Sequence, residues 1–324
     1  MEVPPCQKDK RPGQICLLKK SLYGLRTAPA NFNRHLHGWT TGHCTADCPA
    51  GCMAHPGFEQ CPSDSSLYHR KSDLGMAYAA LWVNDILCCG DAWAVDDLQH
   101  KLKAKFEIRD YGEPKVFLGM DIDRDHQKGT LHLSQRTYVA NMVKRFGPVL
   151  SAYVSTPLDP SVHITKSMNG SVLCNVSIYC LVGSLMYAST ATRGVEIVYA
   201  VKELSRHLAA PTEGHMKQAR RVLAYLACHP NLGPTYRRGP VELVGWSDAD
   251  YCGCLDMSRS TSGWLFMLAG GPISWRSKQQ HSTADSTAEA EYRALSKCGR
   301  QGEWLRRLLA DFGSPCTHPT SSAE

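Results

Sequence analysis

The sequence predicts an α+β chain, and three features predict it. Paired apolar runs at Met76–Gly90 and Val116–Leu133 have the length and punctuation of β-hairpins. Helical patterns then follow one another from Ile178 to Cys228. Beyond the Gly/Pro-rich stretch Asn231–Pro240 the pattern changes again, to three strands and one long helix.

Taken in order, the first dozen residues are Pro- and Lys-rich and irregular. Ile15–Tyr23 is apolar around Lys19 and Lys20, Gly24 marks a turn, and a short helix is expected near Pro29–His37. The following Gly-, Cys- and His-rich segment reads as a loop. Strand-like Ser66–Arg70 leads into the first hairpin, whose turn is expected at Asn84-Asp85. In Ala94–Phe106, the side chains of Val95, Leu98, Leu102 and Phe106 share one helical face. The second hairpin turns at Gln127-Lys128-Gly129, and Ser134 is expected to cap a helix through Phe146. Val149–Ser171 is a Pro- and Ser-containing connector. Helices are expected over Ile178–Thr190, Ile197–Ala209 and Thr212–Cys228, with Thr212 and His215 opening the third. Strands at Val241–Ser247, Gly263–Leu268 and Ile273–Arg276 precede a helical region from Ala284. There is no internal repeat.

With 324 residues, 43% of them hydrophobic and 20% charged, the chain can bury more than one core. No run of eighteen apolar residues exists, so a membrane-spanning helix is not expected. The N-terminus lacks an apolar signal core, which points to an intracellular chain that is not secreted. On that reading Asn169 and Asn175, each in an Asn-X-Ser pattern, are not expected to carry glycans. The net charge of +6 is compatible with nucleic-acid binding but does not demonstrate it. Fifteen cysteines without a secretory signal suggest free thiols or a metal before a disulfide framework. Cys88-Cys89 and Cys252/Cys254 read as small apolar packing residues.

Several residues carry chemistry. Asp85 stands at the tip of an otherwise apolar hairpin, where an unpaired buried charge is costly. It makes sense aimed at a divalent cation; the alternative is a turn-forming aspartate. In the C-terminal helix Glu289 and Glu291 are about 200° apart and cannot both face a sheet. Ala284, Ala288, Glu291 and Leu295 fall on an apolar line, whereas Asp285, Glu289, Arg293 and Ser296 fall on the polar side. Glu291 is therefore the carboxylate expected inside, where it needs a metal or another partner. Asp248 and Asp250 are two apart on a strand and share a face. Cys44, Cys48 and Cys52 recur every four residues, with His43, His55 and Cys61 nearby. That spacing differs from the common zinc patterns, so zinc is not expected.

The segments LLKKSLYGLRTAPANF, FLGMDI, LSQRTYVANMVKRFG, STPLDP, LVGSLMYASTATR, GWSDADYCG, RSTSGWLFMLAGGPISWRSKQQ and STAEAEYRAL occur in this order. They resemble the Pol polyprotein of copia-type LTR retrotransposons, and the likeness runs from about Ile15 to Gly313. The resemblance implies a partial reverse transcriptase palm and thumb over 1–150, a mostly helical connection over 151–240, and an incomplete RNase H-like α/β domain over 241–324. It also implies Mg2+ or Mn2+, and as partners an RNA or DNA template-primer or an RNA–DNA hybrid. No membrane partner is implied, and the oligomeric state is left open.

The resemblance assigns roles by position. The family hairpin reads aromatic-Val-Asp-Asp, and here it reads Trp82-Val83-Asn84-Asp85. Asp85 matches the second aspartate, while Asn84 offers an oxygen without charge, so metal affinity should fall. A third carboxylate of the family falls upstream of the stretch matched here. Lys19, Lys20, Tyr23 and Arg26 match the region bordering template and nucleotide, with phosphate contacts by the cations and stacking by Tyr23. The alternative is a solvated basic stretch with a core tyrosine. Phe117, Leu118 and Gly119 resemble the primer-grip hairpin. Asp248 and Glu291 match metal-binding carboxylates of the RNase H site, and Asp250 is a neighbour able to face the same ion. The later ligands of that site, and the strand flanking Asp248, are expected to be missing, which predicts an open apolar edge and a poorly stable C-terminal part. Gly194-Val195, where the family shows one Pro, is expected to loosen a helix start. The leading reading is a catalytically depleted reverse transcriptase/RNase H fragment. Its alternatives are a non-catalytic nucleic-acid-binding remnant or a relic without a role.

Overall fold

The computed structural model describes residues 36–38, 57–73, 75–83, 85–147, 153–168, 170, 176–315 and 320–321. The chain divides into two units, Met1–Asp110 with Asp311–Gly313, and Tyr111–Ala310 with Ser314–Glu324. Helices and strands mix in both, as the α+β pattern predicts.

In the first unit β1 (Glu59–Gln60), β2 (Leu67–Ser72), β3 (Gly75–Trp82) and β4 (Asp85–Gly90) form an antiparallel sheet in that order. Alternation along β3 buries Ala77, Ala79 and Leu81. Helix α1 (Ala92–Lys105) covers this face with Ala94, Leu98 and Leu102, and Phe106 packs alongside. Leu36, Phe58 and Tyr68 complete the core. Arg70 is buried within it and is paired with Asp97 at 2.8 Å, which also accepts from Lys101 at 2.9 Å. Burial raises the Asp97 carboxyl, but the hydrogen bonds and charges of Lys101 and Arg70 outweigh it and hold the group below its ordinary value.

The turn of this hairpin differs from the expected one. Trp82 pairs with Asp85, so the connection is Val83-Asn84 and Asp85 is the first residue of β4. Two-residue connections demand positive φ, and Val83 has φ of +55°. A β-branched residue is strained there. Apolar alternation marks the two strands but does not say which dipeptide turns. Asn84 lies outside the described residues, as do Lys19, Lys20, Tyr23 and Arg26.

In the second unit β5 (Val116–Phe117), β6 (Met120–Asp125), β7 (Thr130–Ser134) and β8 (Thr235–Arg237) form an antiparallel sheet. The Gly/Pro stretch Asn231–Pro240 thus contributes a strand. Helix α2 (Arg136–Phe146) follows β7, but Ser134 does not cap it. Ser134 is the last residue of β7. Asp121 of β6 accepts instead from the Thr137 N–H at 3.0 Å and from the Thr137 hydroxyl at 2.8 Å. The first-turn donor is met across the fold rather than along the chain.

Helices α3 (Val176–Ala191), α4 (Gly194–Arg206) and α5 (Glu213–Cys228) share one core built on Ile178, Leu181, Leu185, Ile197, Leu204 and Leu223. His215 accepts the Thr212 N–H at 3.0 Å and so closes the start of α5. Gly194 does not loosen α4. A Cβ there would lie 1.4 Å from Nε1 of Trp275, whose indole donates to the Ser189 carbonyl at 2.7 Å. The glycine admits the tryptophan that docks the helices on the next sheet.

That sheet has the order β11-β10-β9-β12, from β9 (Val244–Asp250), β10 (Thr261–Leu268), β11 (Gly271–Gln279) and β12 (Thr320–Ser321). Helix α6 (Thr287–Asp311) packs on it through Cys298 and Leu305 against Leu243 and Phe266. The edge of β9 expected to be open is partly covered, because β12 runs parallel to Val244–Gly245. β9 also runs on through Asp250, beyond the expected Ser247.

The end of α4 holds a polar knot with the loop after β9. Arg206 donates to Cys254 Sγ at 2.8 Å, so Cys254 does more than pack. His207 stacks on His215 with ring centroids 4.9 Å apart and faces Asp256 at 3.9 Å. Burial, then the Arg206 charge, lowers the basicity of His207; burial, then His207 itself, lowers that of His215.

Two outcomes follow from this packing. Val83→Asn relieves a left-handed valine and should raise stability by about 1 kcal/mol, read as a higher urea midpoint for the first unit. The two histidines bind protons more readily unfolded than folded, so stability should fall as pH drops through about 6.5. His207→Phe should flatten that fall in pH-dependent urea melts.

Candidate functional site

Three of the expected carboxylates stand on two adjoining elements, Asp248 and Asp250 on β9 and Glu291 on α6. Alternation turns Ala249 toward α6 and leaves Asp248 and Asp250 exposed on the other side of the strand. Ala249 packs with Ala284, Ala290 and Ala294, a seam of small side chains that lets helix and strand approach closely.

The start of α6 is fixed by its own polar groups. Ser286 Oγ accepts the Glu289 N–H at 3.1 Å, and Glu289 accepts the Asp285 N–H at 2.7 Å. That Asp285 bond and the Arg293 charge hold the Glu289 carboxyl below its ordinary value. The pattern Ser-x-x-Glu at 286–289 is a capping box in the sequence, and it could have placed the helix start. Arg293 pairs with Glu289 at 2.5 Å and donates to the Ser282 carbonyl at 3.1 Å.

With the helix so set, Glu291 Oε1 accepts the Ala249 N–H at 3.2 Å. This corrects the expected apolar line. The buried stripe of α6 is Ala290, Ala294, Cys298, Gly302 and Leu305, whereas Ala288 and Leu295 are exposed. Glu291 is exposed beside that stripe rather than forced into it. Its partner is a main-chain amide that β12 does not reach.

Asp250 has a different setting. A Cβ on Gly253 would lie 1.8 Å from Asp250 Oδ2, so the carboxylate is folded against the turn that follows. Gln280 was not suspected from the sequence. It is buried, and its amide donates to Ser262 Oγ and to the Ala290 carbonyl, each at 3.0 Å. It ties β10 and the end of β11 to α6. A polar run ending a strand, Lys278-Gln279-Gln280, is too common a signal to have revealed it.

The remaining candidates are elsewhere. Asp85 belongs to the first unit and is exposed, beside Trp82, which is 58% exposed. Phe117 is partly buried and pairs with Met120 across a two-residue turn of Leu118 and Gly119, both at positive φ. The Leu118 carbonyl accepts from the Tyr187 hydroxyl. Of the Cys/His segment, Cys44, Cys48, Cys52, His43 and His55 lie outside the described residues. Cys61 is buried with its Sγ 3.6 Å from His69 Nδ1, and burial pushes its thiol up to about 11. The eight described cysteines are all free. Among the described residues no three His, Cys, Asp or Glu side chains are placed to hold one metal ion. None of the described helices is long and apolar enough to cross a membrane.

Comparison with known proteins bears on these positions. A family model described as reverse transcriptase (RNA-dependent DNA polymerase) matches residues 1–160. The chain is 34% identical over 323 residues to the retrovirus-related Pol polyprotein from transposon RE1 of Arabidopsis thaliana, covering 98% of this chain and 21% of that protein. It is 33% identical over 325 residues to the corresponding polyprotein from transposon RE2 of the same plant, covering 98% and 21%. It is 32% identical over 307 residues to that from transposon TNT 1-94 of Nicotiana tabacum, covering 92% and 22%. The chain therefore spans about a fifth of the length of these relatives. No solved structure matches it. The chain belongs to the retrotransposon-derived reverse transcriptase family.

Proposed function

We propose that this chain acts on nucleic acid as a depleted reverse transcriptase/RNase H segment, with polymerase-derived residues over 1–150, a helical connection over 151–240 and an RNase H-like part over 241–324. The observation that carries this reading is the Glu291 carboxylate held on the Ala249 amide, one residue along β9 from Asp248.

Asp248 and Glu291 offer only carboxylate oxygens, the donor type that Mg2+ and Mn2+ prefer. Mg2+ is commonly held by one or two carboxylates, with waters and substrate phosphates completing its shell. These two residues therefore fit the ion in kind, and they would hold it. When bound, it would supply a polarised phosphoryl oxygen and an acidified water. Glu291 would exchange its amide for the ion, and Asp248 would face it from the strand. Asp250 is assigned to bracing the turn at Gly253, as a positioning residue.

In the first unit Asp85 contributes a charge at the hairpin, and its neighbour Asn84 contributes none. We assign weak or absent strand synthesis to this chain alone on that ground. The second reading, a non-catalytic nucleic-acid-binding remnant, is favoured by the lack of a three-ligand cluster among the described residues.

Cleavage of a labelled RNA–DNA hybrid by the purified chain separates the two. On the leading reading, cleavage with Mn2+ is slow but measurable. Asp248→Asn and Glu291→Gln each lower it at least about tenfold, equivalent to about 1.4 kcal/mol of barrier, while Asp250→Asn retains most of it. Primer extension by the same preparation stays at background. Metal-independent binding with no cleavage above the Asp248→Asn level supports the remnant instead.

A further inference from the structure

We propose that the flank where β11 meets α6 is a docking surface for a nucleic-acid backbone, separate from the carboxylate edge. This rests on the nucleic-acid reading above and adds a location to it.

Arg276 and Lys278 are two residues apart on β11, share a face, and are exposed on the outermost strand of the sheet. Arg293, Lys297 and Arg300 are spaced four and three apart on α6 and form one stripe. Gln280, just past β11, is bonded to Ala290 of α6, and Ile273 of β11 packs with Cys298 and Leu305, so the two sets of cations flank one seam. Burial, then the charges of Lys278, Arg276, Arg293 and Arg300, accordingly pushes the Lys297 ammonium below its ordinary value. Glu289 neutralises Arg293. Among the described residues, Arg276, Lys278, Lys297 and Arg300 form no ion pair with a carboxylate. Glu303 shares a hollow with Arg300 but is paired with Arg306 and Arg307, so the four cations still repel one another, and a polyanion relieves that repulsion.

The chemistry favours phosphate over an acidic protein. A protein partner needs a buried apolar anchor at the centre of the contact. Of the large apolar groups here, Trp264 is covered by the Arg276 guanidinium, 5.5 Å from the ring centroid. Trp304 lies in a hollow it shares with Arg300 and Arg307, where a flat ring among cations suits a nucleic-acid strand. Lys297 and Arg300 are within one helical turn of each other, about 4.5 Å apart along the helix axis. Both lie on the far side of α6 from Glu291, about 240° and 180° around the helix.

The test uses the full chain and a labelled 20-base-pair RNA–DNA hybrid, with anisotropy titrations over a range of KCl. The combined variant R276Q/K278Q/K297Q/R300Q should reduce the slope of log affinity against log salt by roughly 3 to 4, with at least tenfold weaker binding at 0.1 M KCl. The charge-preserving variant R276K/K278R/K297R/R300K should bind as the unchanged chain does, which separates charge from folding. An unchanged slope in the neutral variant overturns the proposal. So does equal loss in the charge-preserving variant, or, in a parallel titration with labelled poly-glutamate, a loss confined to that probe, which would mark an acidic protein partner. Hybrid cleavage by Asp248→Asn is read in parallel. A lowered salt slope without any effect of Asp248→Asn on cleavage upholds the surface and rejects the carboxylate reading. The reverse result upholds that reading and rejects the surface.

Discussion

The alanine seam between β9 and α6 governs what the C-terminal carboxylates can do. Ala249, Ala290 and Ala294 are all buried, and none has a side chain beyond Cβ to hold the two elements apart. The close approach brings Glu291 within reach of a strand amide beyond the span that the described β12 pairs with. A larger residue in the seam would move the helix outward and separate Glu291 from the Ala249 amide. The cap at Ser286 and the Gln280 bridge serve the same end, since they fix the rotation of α6 and its position along the strand.

Elements set by short-range pattern were legible in the sequence. Both hairpins, Leu98 and Leu102 on the buried face of α1, and the three helices between 176 and 228 follow from periodicity, although Ala94 rather than Val95 completes that face. Features set by tertiary contact were not. Asp121 replaces Ser134 at the start of α2 because it arrives from another strand. Gly194 looks like a helix breaker until Trp275 is seen to occupy the space its side chain would need. The stripe of α6 was misplaced because Ala288, Leu295 and the true buried alanines are equally apolar in composition, and only packing on Ala249 chooses between them. At the hairpin tip, the one-residue shift to Val83-Asn84 came from reading a polar pair as the turn, when register with β4 made Asp85 part of the strand.

Charge is separated around α6. Glu291 reaches the β9 side, while Arg276, Lys278, Lys297 and Arg300 collect on the β11 side. The modest net charge of +6 conceals this division, since surface fields depend on local arrangement rather than on the total. Binding to phosphates needs only cations in place, whereas two-metal chemistry needs every ligand in register.

The central claim is that Glu291 is anchored on the Ala249 amide. Amide hydrogen exchange at Ala249, followed by NMR in the full chain and in Glu291→Ala, tests it most directly. The account expects slow exchange at Ala249 in the unchanged chain and clearly faster exchange in the variant, with Gly245 and Phe266 unaffected. Equal exchange at Ala249 in both proteins would contradict it.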